Sequence, residues 1–370
     1  MIKVLHFCKT YYPNTFGGIE QVVYQLAEGG RLKGVEARVL SLSEQGKTQN
    51  IQVGHHDAYF SKTIVEFAST PLSFSVFQDL SKLVQQVDII HYHFPWPFMD
   101  LAHFVCRIKK PSIVTYHSDI VKQKNLLRLY KPLMYKFFAD VDSIVASSPN
   151  YMMTSQTLQR FKDKVTVVPF GLDKASYPQV AEQKKKEWQE KFGNRFFLFI
   201  GTFRYYKGLN ILIEAAQGTS YPIVIVGAGP IEEKLKKQAT DLGVQNVHFL
   251  GSLSDEDKVA LLQLCGAVVF PSHLRSEAFG ITLLEGAMYS KPMISCEIGT
   301  GTTYVNIADK TGLVIPPSNS VALREAMDTL WHNPMLAACL GENAGKRYDE
   351  LFTSEKMVDQ YIQLYQSILK

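Results

Sequence analysis

Two glutamates frame a nearly apolar stretch in the second half of the chain. The segment RSEAFGITLLEGAMYSKPMIS, residues 275–295, places Glu277 and Glu285 eight positions apart around a Phe-Gly pair. If a helix begins near Gly280, eight residues at about 1.5 Å each separate the carboxylates by roughly 12 Å. Glycosidases need only roughly 5 to 9.5 Å between their two carboxylates. The spacing therefore predicts two separate hydrogen-bonding tasks and not a joint acid–base pair.

A helix beginning at Gly280 would also present backbone amides to a ligand. The amides of Phe279, Gly280 and Ile281 would form its positive N-terminus, where phosphate groups bind. Glu277 precedes this helix end and Glu285 lies two turns inside the helix. The segment could thus bind a sugar, a diphosphate and a ribose in a row, with the phosphate at the helix N-terminus between the two glutamates.

Two glycine-containing loops, each between a predicted strand and a predicted helix, could bind anions. NTFGGIEQ holds Gly17 and Gly18, which would let backbone N–H groups approach a phosphate; a simple tight turn is the alternative. GTFRYYKG adds Arg204 and Lys207, two cations that could neutralise a diphosphate leaving group. Ordinary solvated charges are the alternative for this second loop.

Three histidines lie on two predicted strands. His117 closes SIVTYH and Asp119 follows in the loop, so both would lie at the carboxyl edge of a sheet. His91 and His93 alternate along DIIHYHFPWPF and therefore point to one face of their strand. A purely structural histidine is the alternative in each case.

Short apolar runs alternate with helix-period stretches on both sides of a polar, lysine-rich break at 173–195. This alternation predicts an α/β protein with two Rossmann-like domains, 1–170 and 171–353, joined by a linker near 169–180. Ligands of such parallel sheets bind beyond the carboxyl ends of the strands, so we expect the site in a cleft between the domains. The final segment, 354–370, has the apolar spacing of an amphipathic helix.

Composition excludes several classes of protein. The chain has 370 residues, 46% of them hydrophobic and 20% charged, which is globular usage. Its five cysteines are scattered without a CxxC pair, which argues against a disulfide framework or a zinc site. No signal sequence or run of eighteen apolar residues is present, and a net charge of +4 is too small to indicate nucleic acid. We therefore expect a cytoplasmic protein.

SEAFGITLLEG resembles the E-x7-E signature of the retaining nucleotide-sugar glycosyltransferases of family 4, also called group 1, which have the GT-B fold of two facing Rossmann-like domains. GGIE, TYHSD, the KG loop and FPSHLRSEAFG follow in the family's order, so the resemblance covers nearly the whole chain. It implies that 1–170 binds the acceptor, that 171–353 binds the nucleotide sugar, and that the terminal helix packs back on the first domain.

The resemblance also implies roles for individual residues. Glu277 would contact the transferred sugar, Glu285 the nucleotide ribose, Lys207 with an arginine the diphosphate, and His117 the sugar or acceptor side. Family members often carry that arginine directly after the strand glycine, where this chain has Thr202, and Arg204 stands three residues before Lys207.

Family resemblance further suggests front-face attack, in which the acceptor hydroxyl approaches beside the leaving phosphate and that phosphate takes the proton. No DxD-like carboxylate cluster stands at a predicted strand end, so we expect no metal or other cofactor. Cationic side chains and a helix N-terminus would neutralise the diphosphate instead.

Residues 296–319, CEIGTGTTYVNIADKTGLVIPPSN, resemble a subset of the family that comprises mannosyl- and rhamnosyltransferases of bacterial surface-polysaccharide (O-antigen) assembly. This favours GDP-mannose as the donor and a glycan or polyprenyl-diphosphate-linked acceptor. A UDP-sugar is the alternative, since base selection depends on the loop backbone near Leu250 to Leu253. A nucleotide-sugar epimerase and a non-catalytic nucleotide-sugar-binding protein are more distant alternatives.

A basic segment lies in the predicted acceptor domain. Residues 122–138 contain five cations with leucine and tyrosine and no acid, namely Lys122, Lys124, Arg128, Lys131 and Lys136. Such a segment could rest on an anionic membrane surface, which would make the protein peripheral on the inner face of the cytoplasmic membrane. A solvated helix face is the alternative.

Overall fold

The computed structural model describes residues 1–43, 47–67, 70–121 and 124–370. The chain forms two compact units. Unit 1 comprises Met1–Gly171 together with Ser354–Lys370, and unit 2 comprises Leu172–Thr353. The crossing at Gly171 and Leu172 lies inside the predicted linker.

Unit 1 is built on an eight-stranded sheet in the order β10-β9-β8-β7-β1-β2-β4-β3. Its strands are β1 (Ile2–Phe7), β2 (Val35–Ser43), β3 (Gln49–Val53), β4 (His56–Lys62), β7 (Ile89–Phe94), β8 (Ser112–Tyr116), β9 (Ser143–Ala146) and β10 (Val165–Val167), and a separate hairpin consists of β5 (Val65–Phe67) and β6 (Thr70–Leu72). Its helices are α1 (Gly18–Arg31), α2 (Ser75–Val84), α3 (Pro97–Val105), α4 (Lys124–Asp140), α5 (Pro149–Thr154) and α6 (Gln156–Arg160).

Most strand pairs of unit 1 are parallel, as predicted, but two pairs are antiparallel. β3 pairs antiparallel with β4 at the edge of the sheet, and β5 pairs antiparallel with β6. β3 has the sequence QNIQV and none of its residues is buried. Short polar strands of this kind lack the apolar run that identifies a buried strand in a sequence.

Unit 2 contains a six-stranded parallel sheet in the order β13-β12-β11-β14-β15-β16. The strands are β11 (Phe197–Ile200), β12 (Ile223–Val226), β13 (Val247–Phe249), β14 (Ala267–Phe270), β15 (Met293–Cys296) and β16 (Gly312–Ile315). The helices are α7 (Glu182–Phe192), α8 (Leu209–Ala216), α9 (Glu232–Asp241), α10 (Asp255–Leu264), α11 (Ile281–Met288), α12 (Thr302–Val305), α13 (Ser320–His332) and α14 (Pro334–Leu351). β11, β12, β14 and β15 are buried along their whole length, as expected for strands covered on both faces.

The terminal helix α15 (Ser354–Ile368) packs against α1 within unit 1. Gly29 allows this close approach, because a Cβ atom there would lie 2.8 Å from the Cγ2 atom of Val358. Tyr361 and Tyr365 are buried on the same side of the helix, which confirms the predicted amphipathic spacing. Among the described residues, no helix is long and apolar enough to cross a bilayer.

Candidate active site

The strand order of unit 2 reverses between β11 and β14. From β11 the chain builds outward through β12 and β13, then returns to place β14 on the other side of β11. Such a switch point opens a crevice at the carboxyl ends of the two strands, where ligands of parallel sheets bind. The loop after β11 carries Lys207 and the loop after β14 carries Glu277. Topology therefore brings the two predicted site residues together.

Lys207 and Glu277 form an ion pair at this switch point. The Nζ atom of Lys207 lies 2.5 Å from Oε2 of Glu277, and the two side chains are only 13% and 11% exposed. The hydroxyl of Ser272 donates to the same oxygen at 3.1 Å. The ammonium group also lies 4.7 Å from the centre of the Phe270 ring, within the range of a cation–π contact. Ser272 was not among the predicted site residues, although it follows β14 and Pro271 directly in the chain.

The ion pair keeps Lys207 charged. Burial alone would lower the pKa of Lys207, but the adjacent Glu277 carboxylate outweighs burial and the pKa is raised. A fixed ammonium group of this kind can bind the oxygens of a diphosphate, while the carboxylate accepts hydrogen bonds from sugar hydroxyls. The pair thus places the predicted diphosphate ligand Lys207 beside the predicted sugar ligand Glu277.

Two glycines shape the backbone around this pair. Gly208 has φ 70°, and a Cβ atom there would lie 2.0 Å from the carbonyl oxygen of Pro271. Gly280 has φ 95° and immediately precedes α11, which confirms the predicted start of the helix. The amides of Leu283 and Leu284 donate to the Gly280 carbonyl, so the earlier amides of the first turn have no intrahelical acceptor.

Glu285 lies in a separate hydrogen-bonded group. Its Oε1 atom accepts a hydrogen bond of 3.0 Å from the hydroxyl of Tyr177. Burial raises the pKa of Glu285, and the Tyr177 hydroxyl partly opposes this. Glu277 and Glu285 therefore have different partners, as expected for two separate tasks. Tyr177 lies in the polar linker, more than a hundred positions away in the chain, and no sequence motif indicates this contact.

The other predicted donor contacts in unit 2 have less support from geometry. Arg204 is exposed and stands at the start of the 3₁₀ turn Tyr205–Lys207. Leu253 is half-buried and stands directly before Ser254, which caps α10. Arg275, a cation that was not among the predicted site residues, donates to the Gly299 carbonyl at 2.8 Å.

In unit 1, the predicted anion site at Gly17 and Gly18 already holds a carboxylate. Gly17 caps α1, and a Cβ atom there would lie 2.7 Å from Oε2 of Glu20. The hydroxyls of Thr10 and Thr15 donate to the other oxygen of Glu20 at 2.8 and 2.6 Å. Glu20 is buried and interacts favourably with the positive end of the helix. The space beside Gly17 is thus occupied by the carboxylate of Glu20.

Four of the histidines in unit 1 form a buried cluster on β1, on β7 and directly after β8, namely His6, His91, His93 and His117. His6 Nδ1 lies 3.1 Å from His93 Nε2, and His93 Nδ1 lies 2.9 Å from His117 Nε2. His91 stacks on His93 with ring centres 4.4 Å apart. Burial lowers the pKa of His6 and of His117 to about 3, and lowers the pKa of His91 and His93 well below the usual range. The sequence did not indicate a hydrogen-bond partner for His117. In the structure it is the last of three hydrogen-bonded imidazole rings, after His6 and His93.

Within the described residues, His6, His91 and His93 are also the group whose ligand atoms could converge on a metal, since those atoms lie within 4.8 Å of one another. Both nitrogens of His91 are already engaged, Nδ1 with the Tyr365 hydroxyl at 2.8 Å and Nε2 with the Thr115 hydroxyl at 2.7 Å. The geometry therefore fits a hydrogen-bonded cluster better than a metal centre.

Asp119 stabilises the loop after β8. Its Oδ1 atom accepts hydrogen bonds of 2.8 Å from the hydroxyls of both Tyr116 and Ser155. These bonds tie the loop that carries His117 to the start of α6. We therefore assign Asp119 a structural role.

Two family models match the chain. Residues 16–176 match the model described as Glycosyltransferase Family 4, and residues 180–347 match the model described as Glycosyl transferases group 1. The protein belongs to this family of glycosyltransferases.

Two similar proteins share about half of their residues with this chain. A D-rhamnosyltransferase of Pseudomonas aeruginosa, WbpZ, is 56% identical over 353 residues, covering 95% of this chain and 93% of that protein. The O-antigen chain mannosyltransferase C of Escherichia coli is 50% identical over 369 residues, covering 100% of this chain and 99% of that protein.

Solved structures agree on the fold. Sucrose-phosphate synthase of Thermosynechococcus elongatus matches with a TM-score of 0.82 at 19% identity, covering 100% of this chain and 99% of that one. Anabaena HepE in complex with UDP and glucose matches with a TM-score of 0.78 at 19% identity, covering 99% and 100%. The fold is the predicted GT-B class with two Rossmann-like units.

Proposed function

We propose that the protein transfers a hexose, namely mannose from GDP-mannose, in the synthesis of O-antigen polysaccharide. The acceptor is a glycan or a polyprenyl-diphosphate-linked sugar, and the transfer retains the anomeric configuration. The observation that carries this proposal is the buried Lys207–Glu277 pair at the switch point of unit 2. In this proposal unit 2 binds the donor and unit 1 binds the acceptor.

The proposed mechanism uses charges that the fold already holds in place. Lys207 and the first amides of α11 neutralise the diphosphate as its bond to the anomeric carbon breaks. Glu277 orients the transferred sugar and Glu285 binds the ribose. The acceptor hydroxyl attacks from the face that the diphosphate leaves, and its proton passes to the departing phosphate oxygen. No metal or cofactor takes part in this scheme.

The choice of mannose is supported by the chemistry of the two similar proteins. One is named for D-rhamnose and the other for mannose. D-rhamnose is 6-deoxymannose, so the two sugars have the same configuration at C2, C3 and C4. A shared site would bind these hydroxyls and tolerate a change at C6. UDP remains the alternative nucleotide, since HepE was solved with UDP and glucose.

The proposed donor is tested by a transfer assay in the presence of a chelator. We expect transfer from GDP-mannose to a lipid-linked acceptor, at least tenfold slower transfer from UDP-glucose, and an α-linked product by NMR. Equal or faster transfer from a UDP-sugar would overturn the assignment of the donor. Loss of activity on chelation, with recovery on adding a divalent ion, would overturn the metal-free scheme.

We further propose that α4 places the enzyme on the anionic inner face of the cytoplasmic membrane. On this helix Arg128 and Lys136 are exposed, and Leu129 is 82% exposed. Exposed leucine beside cations is the pattern of a helix that lies in the membrane interface. The predicted segment begins at Lys122, which lies outside the described residues.

Liposome flotation tests the membrane proposal. The wild-type protein should float with vesicles that contain anionic lipid and not with neutral vesicles. Leu129→Glu should reduce the floated fraction severalfold, because a carboxylate is repelled by anionic headgroups and does not insert into the apolar part of the bilayer. Val321→Glu in unit 2 is the matched control, since Val321 is also an exposed apolar residue on a helix. If both variants float like the wild type, or nothing floats, the proposal fails.

A further inference from the structure

Three imidazole rings are joined end to end inside unit 1. Nδ1 of His6 meets Nε2 of His93, and Nδ1 of His93 meets Nε2 of His117. The strands fix this order: β1 lies beside β7 and β7 lies beside β8, and His6 and His93 both lie near the carboxyl ends of their strands. The chain of rings therefore crosses three adjacent strands and ends at His117, directly after β8.

Neutral imidazole has one N–H donor and one bare nitrogen acceptor. In a chain with Nδ1 facing Nε2 at each junction, all three rings must carry their protons on the same kind of nitrogen. If His6 donates from Nδ1, His93 and His117 also carry their protons on Nδ1. If His117 donates from Nε2 to His93, then His93 and His6 carry theirs on Nε2. Any mixed arrangement sets two donors or two acceptors against each other.

The surroundings keep the rings neutral. Burial lowers the pKa of all three far below neutrality, so none is an imidazolium ion that could donate from both nitrogens. His93 is also confined by its stacking on His91, whose two nitrogens are hydrogen-bonded to Tyr365 and Thr115. The second ring of the chain is thus fixed in orientation as well as in charge.

Within the part of the chain that the structure describes, Nδ1 of His117 has no hydrogen-bond partner and is left for a ligand. Its Nε2 atom is engaged with His93, and the ring stacks on Phe170 with centres 5.3 Å apart. Whether Nδ1 acts as a donor or as an acceptor toward a sugar hydroxyl follows from the tautomer of the whole chain.

We propose that His93, itself hydrogen-bonded to His6, is a positioning residue that fixes the tautomer of His117 and thereby sets the hydrogen bond that His117 offers to the reacting sugar or acceptor. This inference rests on the proposed function and on the contact with the sugar or acceptor side that the family resemblance implies for His117. It assigns His93 no direct contact with the substrate.

The test uses two variants of His93 that are similar in size. Asn can replace Nδ1 of the ring in a hydrogen bond to His117, whereas Leu cannot. His93→Leu should lower kcat by about tenfold or more, with KM for the donor changed by less than about twofold, because a histidine in the wrong tautomer loses its catalytic hydrogen bond. His93→Asn should recover most of the lost kcat. In a His117→Ala background the two variants should have the same kcat, because residues that act as a unit are not additive.

Nitrogen NMR of histidine-labelled protein provides a readout that does not depend on activity. In the wild type, His117 should show one protonated and one bare nitrogen, with His93 in the same tautomer. In His93→Leu the His117 signals should move toward the average of the two tautomers. A mixture at His117 in the wild type, or no change in His93→Leu, would overturn the inference whatever the kinetics show.

The two proposals can fail separately. If His117→Ala retains full kcat while the NMR result is as expected, the tautomer coupling exists but the proposed role of His117 in transfer is wrong. If His93→Leu and His93→Asn have equally low kcat, His93 acts through packing and not through His117. The same conclusion follows if their kcat values differ by the same factor in the His117→Ala background. Melting temperatures of all variants show whether each one is folded.

Discussion

Lys207→Ala is expected to lower kcat by about 10²- to 10³-fold, the effect typical of removing one group that stabilises transition-state charge. The ammonium group is held at 2.5 Å from Glu277 and its pKa is raised, so it is charged before any ligand arrives. Steady-state kinetics with saturating donor measure the loss. Because the charge develops on the leaving diphosphate, kcat should fall more than affinity for the donor.

Loss of fold must be separated from loss of catalysis in this variant. Removing one partner of a largely buried ion pair leaves an unpaired charge and costs about 3 kcal/mol. The double variant Lys207→Met, Glu277→Gln has no such charge and should recover much of the stability while remaining inactive. If Lys207→Ala is folded and keeps more than a third of the wild-type kcat, Lys207 does not stabilise the leaving group.

Gly208→Ala is expected to destabilise unit 2 by about 3 kcal/mol or more and to abolish transfer. The new Cβ atom would lie 2.0 Å from the carbonyl oxygen of Pro271, so the backbone that carries Lys207 must move. The positive φ of 70° adds strain for any residue with a side chain. Denaturant unfolding and the transfer assay measure the two effects.

Gly218 is the matched control for this steric clash. It has φ 76°, nearly the same as Gly208, but a Cβ atom there would have nothing within 4 Å. Gly218→Ala should therefore cost only the backbone strain, about 1 kcal/mol, and leave transfer unchanged. Equal destabilisation by the two substitutions would show that close packing against Pro271 is unimportant.

The donor side of the site could be predicted largely from local sequence. The start of α11 at Gly280 follows from a glycine before an apolar helical segment, and the distinct surroundings of Glu277 and Glu285 follow from helix rise. Ser272 was missed because its role depends on the exact path of a turn. Tyr177 was missed because it reaches Glu285 from 108 positions away.

The side-chain contacts inside unit 1 were harder to predict from the sequence. The alternation of His91 and His93 indicated a shared face, but the partner rings His6 and His117 come from neighbouring strands. Sequence spacing shows which residues share one strand and does not show the register between strands. The chain of three rings therefore emerges only from the sheet. The position of the Glu20 carboxylate beside Gly17 was also not predicted, because two threonines in the loop after β1 hold it there.

If unit 2 binds a nucleoside diphosphate with Glu285 at its ribose, as we propose, the right nucleotide must stabilise the protein against thermal unfolding. A ligand that binds the native state raises the melting temperature by mass action. GDP, added with a chelator, should raise it more than UDP, ADP or dTDP, and Glu285→Ala should abolish the shift. A larger shift with UDP would contradict the donor assignment alone, whereas no shift with any nucleotide, or an equal shift in Glu285→Ala, would contradict the site itself.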